Sequence, residues 1–325
     1  MKRVLITGGA GFAGHHVVEH IIKNTDWEIV IFDKLSYSSN GYDRLRDIEV
    51  FNDKRMLMVG GDFTNPIEPG VAQEIGKVNY IIHMGAETHV DNSIANPLPF
   101  VMSNVVGTMH MLEFARFHDG LEQFVYFSTD EVFGSVEYGA SKEWDAYNSC
   151  NPYAATKAGG EELALSYANT YGMPVMITHT MNLFGERQHP EKFIPLVINR
   201  VLKGEKVYIH ADPTCTKPGI RSYIHCRNMA DALLFLLKEQ VMRDKFNIVG
   251  EREMNNLQLA QMVAKAVGKP LNYELINFHE SRPGHDLRYA LDGTKLAELG
   301  WQPPATFESS LQKTVEWTLA NPKWL

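Results

Sequence analysis

Short, continuously apolar runs alternate with helical-period stretches through the first half of the chain. Residues 2–7 form the first run and predict a buried strand. Val17, Val18, Ile21 and Ile22 then recur at the spacing of one helix face. Further apolar runs at 28–32, 56–59, 80–83 and 123–127 predict strands buried on both faces, as in a parallel sheet. Pro152 suits a first helical turn, and the small residues through Gly160 suit close helix packing. The pattern predicts an α/β fold: a doubly wound parallel sheet over residues 1–182 with helices on both faces. A smaller α/β region, residues 183–325, is expected to cover the carboxyl edge and close a cleft.

Composition narrows the function classes. The chain has 325 residues, 44% hydrophobic and 22% charged, enough for a substantial core in one large domain or two packed ones. Net charge is −8 and no basic block occurs, which argues against nucleic acid as a partner. Cys150, Cys215 and Cys226 make no C-x-x-C pair, and no metal-ligand spacing is present, so no metal is expected. A reduced, cytoplasmic setting fits this cysteine usage. Val4-Leu5-Ile6 is too short for a signal-peptide core, and no apolar run reaches membrane-spanning length.

The first run leads into Gly8-Gly9-Ala10-Gly11-Phe12-Ala13-Gly14, and a helical pattern follows. Gly8 permits a tight turn, Gly11 close approach of backbone to a pyrophosphate, and Gly14 close packing of helix on strand. A second strand ends at Asp33, about twenty residues further on, where a carboxylate accepts ribose hydroxyls and repels a 2′-phosphate. Glycine turns also serve purely structural ends, but strand, glycines, helix and acid together predict a Rossmann-type site for NAD rather than NADP. Lys34 beside the acid either meets the cofactor or points to solvent. Asp62-Phe63 and Ala86 lie at the tips of the next strands, and Asp62 either reaches the adenine or caps the turn at Thr64-Asn65-Pro66. Phe12, Ala13, Phe63, Ala86, Asn104 and Ser128 complete the candidate cofactor contacts. His15 and His16 follow the glycines. His15 is placed to touch the phosphates, but a solvated helix-start histidine is the preferred reading.

The strand at 123–127 ends in Ser128-Thr129-Asp130-Glu131, hydroxyls and two acids at a tip where a core would have neither. A loop whose acids cap the next segment is the plain alternative. Tyr153 and Lys157 share one helical face. The ammonium would stabilise phenolate and lower the tyrosine toward a useful base. Such a pair is common on exposed helices and gains meaning only beside the other features.

With these residues, the sequence resembles the extended short-chain dehydrogenase/reductase family, and within it the nucleotide-sugar 4,6-dehydratases. The resemblance runs from Thr7-Gly8-Gly9-Ala10-Gly11-Phe12 to Lys313-Thr314-Val315-Glu316-Trp317, and Ser128-Thr129-Asp130-Glu131-Val132-Phe133-Gly134 is its most specific piece. It implies Tyr153 as base for the sugar 4-hydroxyl, Lys157 on the nicotinamide ribose and Thr129 orienting the hydroxyl. Glu131 then removes the C5 proton and Asp130, protonated, releases the 6-hydroxyl as water. Phe133 departs from the tyrosine often found there.

The resemblance also implies a nucleotide-sugar site built from Thr88, His89, Asn182, Glu191, Lys192, Arg221, Asn256 and Arg282, with His285 left between substrate contact and structural residue. Arginine suits a diphosphate because its donors lie paired in a plane, although a lone arginine is more often a surface ion pair. Arg221-Ser222-Tyr223 resembles the UDP-glucose branch more than the dTDP-glucose one, so UDP-glucose is favoured, with dTDP-glucose next. The two regions are expected to interleave, and a homodimer is implied through helices near 101–117 and 153–171. The alternatives are a UDP-sugar 4-epimerase, a UDP-glucuronate decarboxylase and a non-catalytic NAD(H)-sensing module. Epimerases lack the paired acids, and a sensor is expected to lose the tyrosine or lysine.

Overall fold

The computed structural model describes residues 1–277 and 288–325. Six strands come first: β1 (Arg3–Thr7), β2 (Glu28–Asp33), β3 (Met56–Gly60), β4 (Tyr80–His83), β5 (Gln123–Thr129) and β6 (Val175–Thr180). They are followed by β7 (Asn182–Phe184), β8 (Val207–Ala211), β9 (Ile220–His225), β10 (Asp244–Ile248), β11 (Glu253–Asn255) and β12 (Tyr273–Asn277). Seven of these form one parallel sheet in the order β10-β6-β5-β4-β1-β2-β3.

Side chains of successive strand residues point to opposite faces, so an unbroken apolar strand serves two cores. Val4 and Ile6 of β1, with Ile29 and Ile31 of β2, face helix Phe12–Asn24 (Val17, Val18, Ile21) and helix Cys226–Glu239 (Leu233, Leu237). Leu5, Val30 and Phe32 face the other way, onto helix Gly107–Arg116 (Met111, Leu112) and helix Pro152–Tyr171 (Ala164, Ala168). This is a doubly wound, Rossmann-type sheet. A third core, including Val197, Ile198, Val207, Ile209, Leu259, Val263, Leu311 and Val315, lies in the residues after β6. Its neighbours are a three-stranded sheet, β11-β9-β7, and the pair β12-β8.

Strand order reverses between β1 and β4, where a doubly wound sheet leaves a crevice at its carboxyl edge. Gly8 turns the chain there with φ 69°, and a Cβ on it would stand 2.8 Å from the Cα of Gly85, just beyond β4. A cleft of about 410 Å³ opens at this point, walled by both strand tips and by residues within 181–194 from beyond the sheet.

Candidate active site

The cleft begins at the glycine turn. Gly8, Gly11, Phe12, Ala13 and Gly14 line it, and Gly11 is the N-cap of helix Phe12–Asn24. A Cβ on Gly14 would lie 2.2 Å from the Gly8 carbonyl oxygen, so only glycine lets the helix start this close to the turn. Asp33 closes β2 and is buried. Its two carboxylate oxygens accept from the backbone N–H groups of Ala10 (3.0 Å) and Leu35 (2.8 Å). Burial pushes this carboxyl above its ordinary range, against those two bonds. Lys34 lines the cleft and pairs with Glu87 at 3.2 Å rather than pointing free into solvent. Phe63, Ala86 and Ser128 also line it, and the buried Ser128 Oγ has no hydrogen-bond partner among the described residues. Backbone donors at a helix start, a carboxylate at the β2 tip and an unpaired buried hydroxyl fit a dinucleotide.

Two of the expected cofactor contacts are placed elsewhere. Asp62 accepts from the Thr64 N–H at 3.0 Å, the turn-capping alternative, and it does not line the cleft. Asn104 is buried behind the cleft wall, where its amide clamps Glu87: Oδ1 accepts from the Glu87 N–H (2.9 Å) and Nδ2 donates to the Glu87 carbonyl (3.0 Å). His15 and His16 are also corrected. Neither is solvated, because helix Phe12–Asn24 packs on residues from near β7 and β9. His16 Nε2 meets the Glu186 carbonyl at 3.2 Å, and its ring stands edge-on to His225. Burial holds both imidazoles well below their ordinary pKa.

The chemical end of the cleft is set by β5, which runs two residues further than its apolar run. Thr129 is therefore the last strand residue, and Asp130–Phe133 form a turn of 3-10 helix. Thr129 Oγ1 donates to Asp130 Oδ1 at 3.0 Å and is hydrogen-bonded to Tyr153. Asp130 is 5% exposed, and its Oδ2 has no hydrogen-bond partner among the described residues. Burial, then the charge of Glu131, push its carboxyl up to about 7, with Arg221 pulling the other way. Glu131 lines the cleft and accepts from Asn151 Nδ2 at 3.0 Å.

Helix Pro152–Tyr171 carries Tyr153 and Lys157 into the same space. Lys157 Nζ donates to the Phe127 carbonyl at 2.6 Å and sits 4.4 Å from the Tyr126 ring centre. Burial brings this ammonium down to about 7, with Glu161 opposing. The expected lowering of Tyr153 by Lys157 is absent. Burial and the facing Glu131 charge raise the phenol, and only its hydrogen bond with Thr129 works against them.

On the other wall Thr88, His89, Asn182, Glu191 and Lys192 line the cleft. His89 Nε2 lies 3.8 Å from Glu191, Asn182 Nδ2 donates to the Ser222 carbonyl at 3.4 Å, and Lys192 is the N-cap of helix Phe193–Lys203. Arg221 is buried behind the wall. It donates to the Ile220 carbonyl at 2.7 Å and stacks 4.5 Å over the Tyr289 ring. Asn256 accepts from the Tyr223 hydroxyl at 2.8 Å, and it is Tyr223 that lines the cleft. Arg282 and His285 lie outside the described residues. Sequence reasoning missed the Ser36-Tyr37-Ser38-Ser39 run, Gln188, His189 and Tyr223 as cleft residues. The hydroxyl run directly after Asp33 was a usable signal; the other three enter from distant segments.

Comparison with known proteins places relatives beside this geometry. The family model described as GDP-mannose 4,6 dehydratase matches residues 5–314. A dTDP-glucose 4,6-dehydratase of Salmonella typhimurium is 38% identical over 347 residues, covering 99% of this chain and 94% of that protein. A trifunctional UDP-glucose 4,6-dehydratase, epimerase and reductase of Arabidopsis thaliana is 36% identical over 328 residues, 99% of this chain. The chain spans about half, 48%, of the length of that plant protein. Among solved structures, the dTDP-glucose 4,6-dehydratase DesIV of Streptomyces venezuelae, with NAD and TYD bound, superposes with a TM-score of 0.89. It is 34% identical and covers 99% of this chain and 98% of its own.

Proposed function

Because the chain belongs to the GDP-mannose 4,6-dehydratase family, among the nucleotide-sugar 4,6-dehydratases of the extended short-chain dehydrogenases, we propose that it converts a nucleoside diphosphate glucose to its 4-keto-6-deoxy derivative with NAD. The observation that carries this reading is the pair Asp130–Glu131. Two adjacent carboxyls share one cleft, and one has an oxygen buried without a partner among the described residues, a combination that suits an acid and a base working together. A 4-epimerase has no use for it.

Residues 1–182, completed by β10, hold the cofactor, and residues 183–325 hold most of the nucleotide sugar. The helix start after Gly8, Gly11 and Gly14 binds the pyrophosphate, and Asp33 binds the adenosine ribose. NAD, when bound, supplies the hydride acceptor for sugar C4 and returns that hydride at C6. Tyr153 Oη, working as phenolate against the burial that favours its phenol and with Lys157 one turn along the same helix, takes the proton of the 4-hydroxyl while Thr129 orients it, and Lys157 supports the nicotinamide ribose. Once C4 is a ketone the C5 proton is acidic, and Glu131 removes it. The C5 electron pair forms the C5–C6 double bond, and the 6-hydroxyl leaves with the proton of Asp130 as water; when C6 receives the hydride, Glu131 gives its proton back to C5, and the proton taken from the 4-hydroxyl replaces the one Asp130 lost. Thr88, His89, Asn182, Glu191, Lys192, Arg221 and Asn256 serve the substrate side, the last two from behind the wall.

The preferred substrate is UDP-glucose, supported by Arg221-Ser222-Tyr223, with dTDP-glucose next. The working form is a cytoplasmic homodimer. Its contact surface is the exposed apolar set on and beside two neighbouring helices, Val101, Met102, Phe117 and Tyr171. The test of the reaction is mass spectrometry of purified protein with UDP-glucose and dTDP-glucose separately. Loss of one water without net consumption of NAD is expected, and the relative rates decide the base. An unchanged mass with both overturns the reading.

A further inference from the structure

Asn151 belongs to no part of the mechanism above, yet its side chain joins two elements of the site. It is the N-cap of helix Pro152–Tyr171, and its Oδ1 accepts from the Ala154 N–H at 2.9 Å. A backbone N–H can only donate, so this bond fixes which end of the amide is oxygen. The other end is therefore NH₂, and it donates to Glu131 Oε2 at 3.0 Å. Asn151 is 6% exposed, so water competes poorly for either bond.

We propose that Asn151 is a positioning residue that aims the Glu131 carboxylate and holds it ionised for proton abstraction at C5. A neutral donor on one carboxylate oxygen favours the charged form, the form that accepts the C5 proton. The same side chain sets the first turn of the helix carrying Tyr153, so the bases for the 4-hydroxyl and for C5 share one support. The acid beside Glu131 has no such donor on Oδ2 among the described residues, only the Thr129 hydroxyl on Oδ1. Neighbouring carboxyls are thereby separated into a proton acceptor and a proton donor. Among the described residues, the ionisable groups bearing on the pair include Tyr153, which faces both carboxyls, and Arg221 of β9, which acts on Asp130. The inference rests on the dehydratase reading of this site.

Asn151→Asp isolates the donor. Aspartate caps a helix as well as asparagine does, but it presents oxygen, not NH₂, to Glu131. The shape is kept and the hydrogen bond becomes a repulsion that raises the Glu131 pKa. The acid limb of the water-loss rate against pH is expected to move up by about one to two pH units, since a hydrogen bond to a charged group is worth about 1.5–3 kcal/mol. Formation of reduced cofactor on adding substrate should stay within a few-fold of wild type, and kcat for dehydration should fall with KM little changed. Asn151→Ser, which keeps a cap and lacks the amide, should shift the limb less and in the same direction, and it carries the test if the aspartate variant fails to fold. An unmoved acid limb in a folded variant, with wild-type protein dehydrating normally, overturns the role of Asn151 alone. Absence of water loss in wild-type protein on both nucleotide sugars overturns the dehydratase reading and the inference together.

Discussion

A carboxyl with one oxygen buried away from water and from donors holds its proton to higher pH. Asp130 and its neighbour Glu131 differ in the donors they meet: Asp130 accepts from the Thr129 hydroxyl on Oδ1 and buries Oδ2 without a partner among the described residues, whereas Glu131 accepts from the Asn151 amide. In the proposed reaction Asp130, near 7, acts in its protonated form, so the rate of water loss should fall as pH rises through about 7. Substitution Asp130→Asn should remove that falling limb and slow water loss by roughly 10²–10⁴-fold. C4 oxidation should survive, and stopped-flow absorbance near the reduced-nicotinamide band should then show reduced cofactor persisting on the enzyme. Full activity with no such species would remove Asp130 from its role. For Glu131→Gln the same measurement should show the same accumulation, because the C5 proton then has no acceptor.

At the scale of elements, what was legible in the sequence is what one segment decides alone. Apolar runs gave β1 to β5, because strands buried on both faces carry no alternation to disguise them. Pro152 marked a helix start, and Gly8 to Gly14 with Asp33 marked a turn whose geometry is local. His15 and His16 were misjudged because their surroundings, Glu186 and His225, lie about two hundred residues away in sequence at the farthest. Tyr223, Gln188 and His189 enter the cleft only once β7 and β9 pair, and a burial-driven pKa such as that of Tyr153 depends on all of these walls. The turn itself is testable. Gly14→Ala places a methyl 2.2 Å from the Gly8 carbonyl and 2.7 Å from the Gly9 Cα, so the helix must lift off its strand. The variant should be destabilised by about 1–3 kcal/mol in a denaturant melt. It should also bind NAD at least tenfold more weakly by fluorescence titration. Unchanged binding would place the pyrophosphate elsewhere.

For the molecule as a whole, Val101 (40% exposed), Phe117 (75%) and Tyr171 (49%) put apolar surface where the proposed dimer would cover it. Val101→Glu should halve the mass seen in sedimentation while leaving the far-UV circular dichroism intact. A monomeric wild type would remove the dimer proposal. The sheet has one further consequence, for how the protein is made. Its order places β10, residues 244–248, beyond β6, so β6 is bordered on that side by a strand from the later part of the chain. During synthesis β6 emerges some sixty residues ahead of its partner, and until then its outer N–H and C=O groups are unpaired. The nascent protein therefore passes through an interval in which that open edge can join strands with a neighbouring chain, and a product truncated before β10 would keep the edge open.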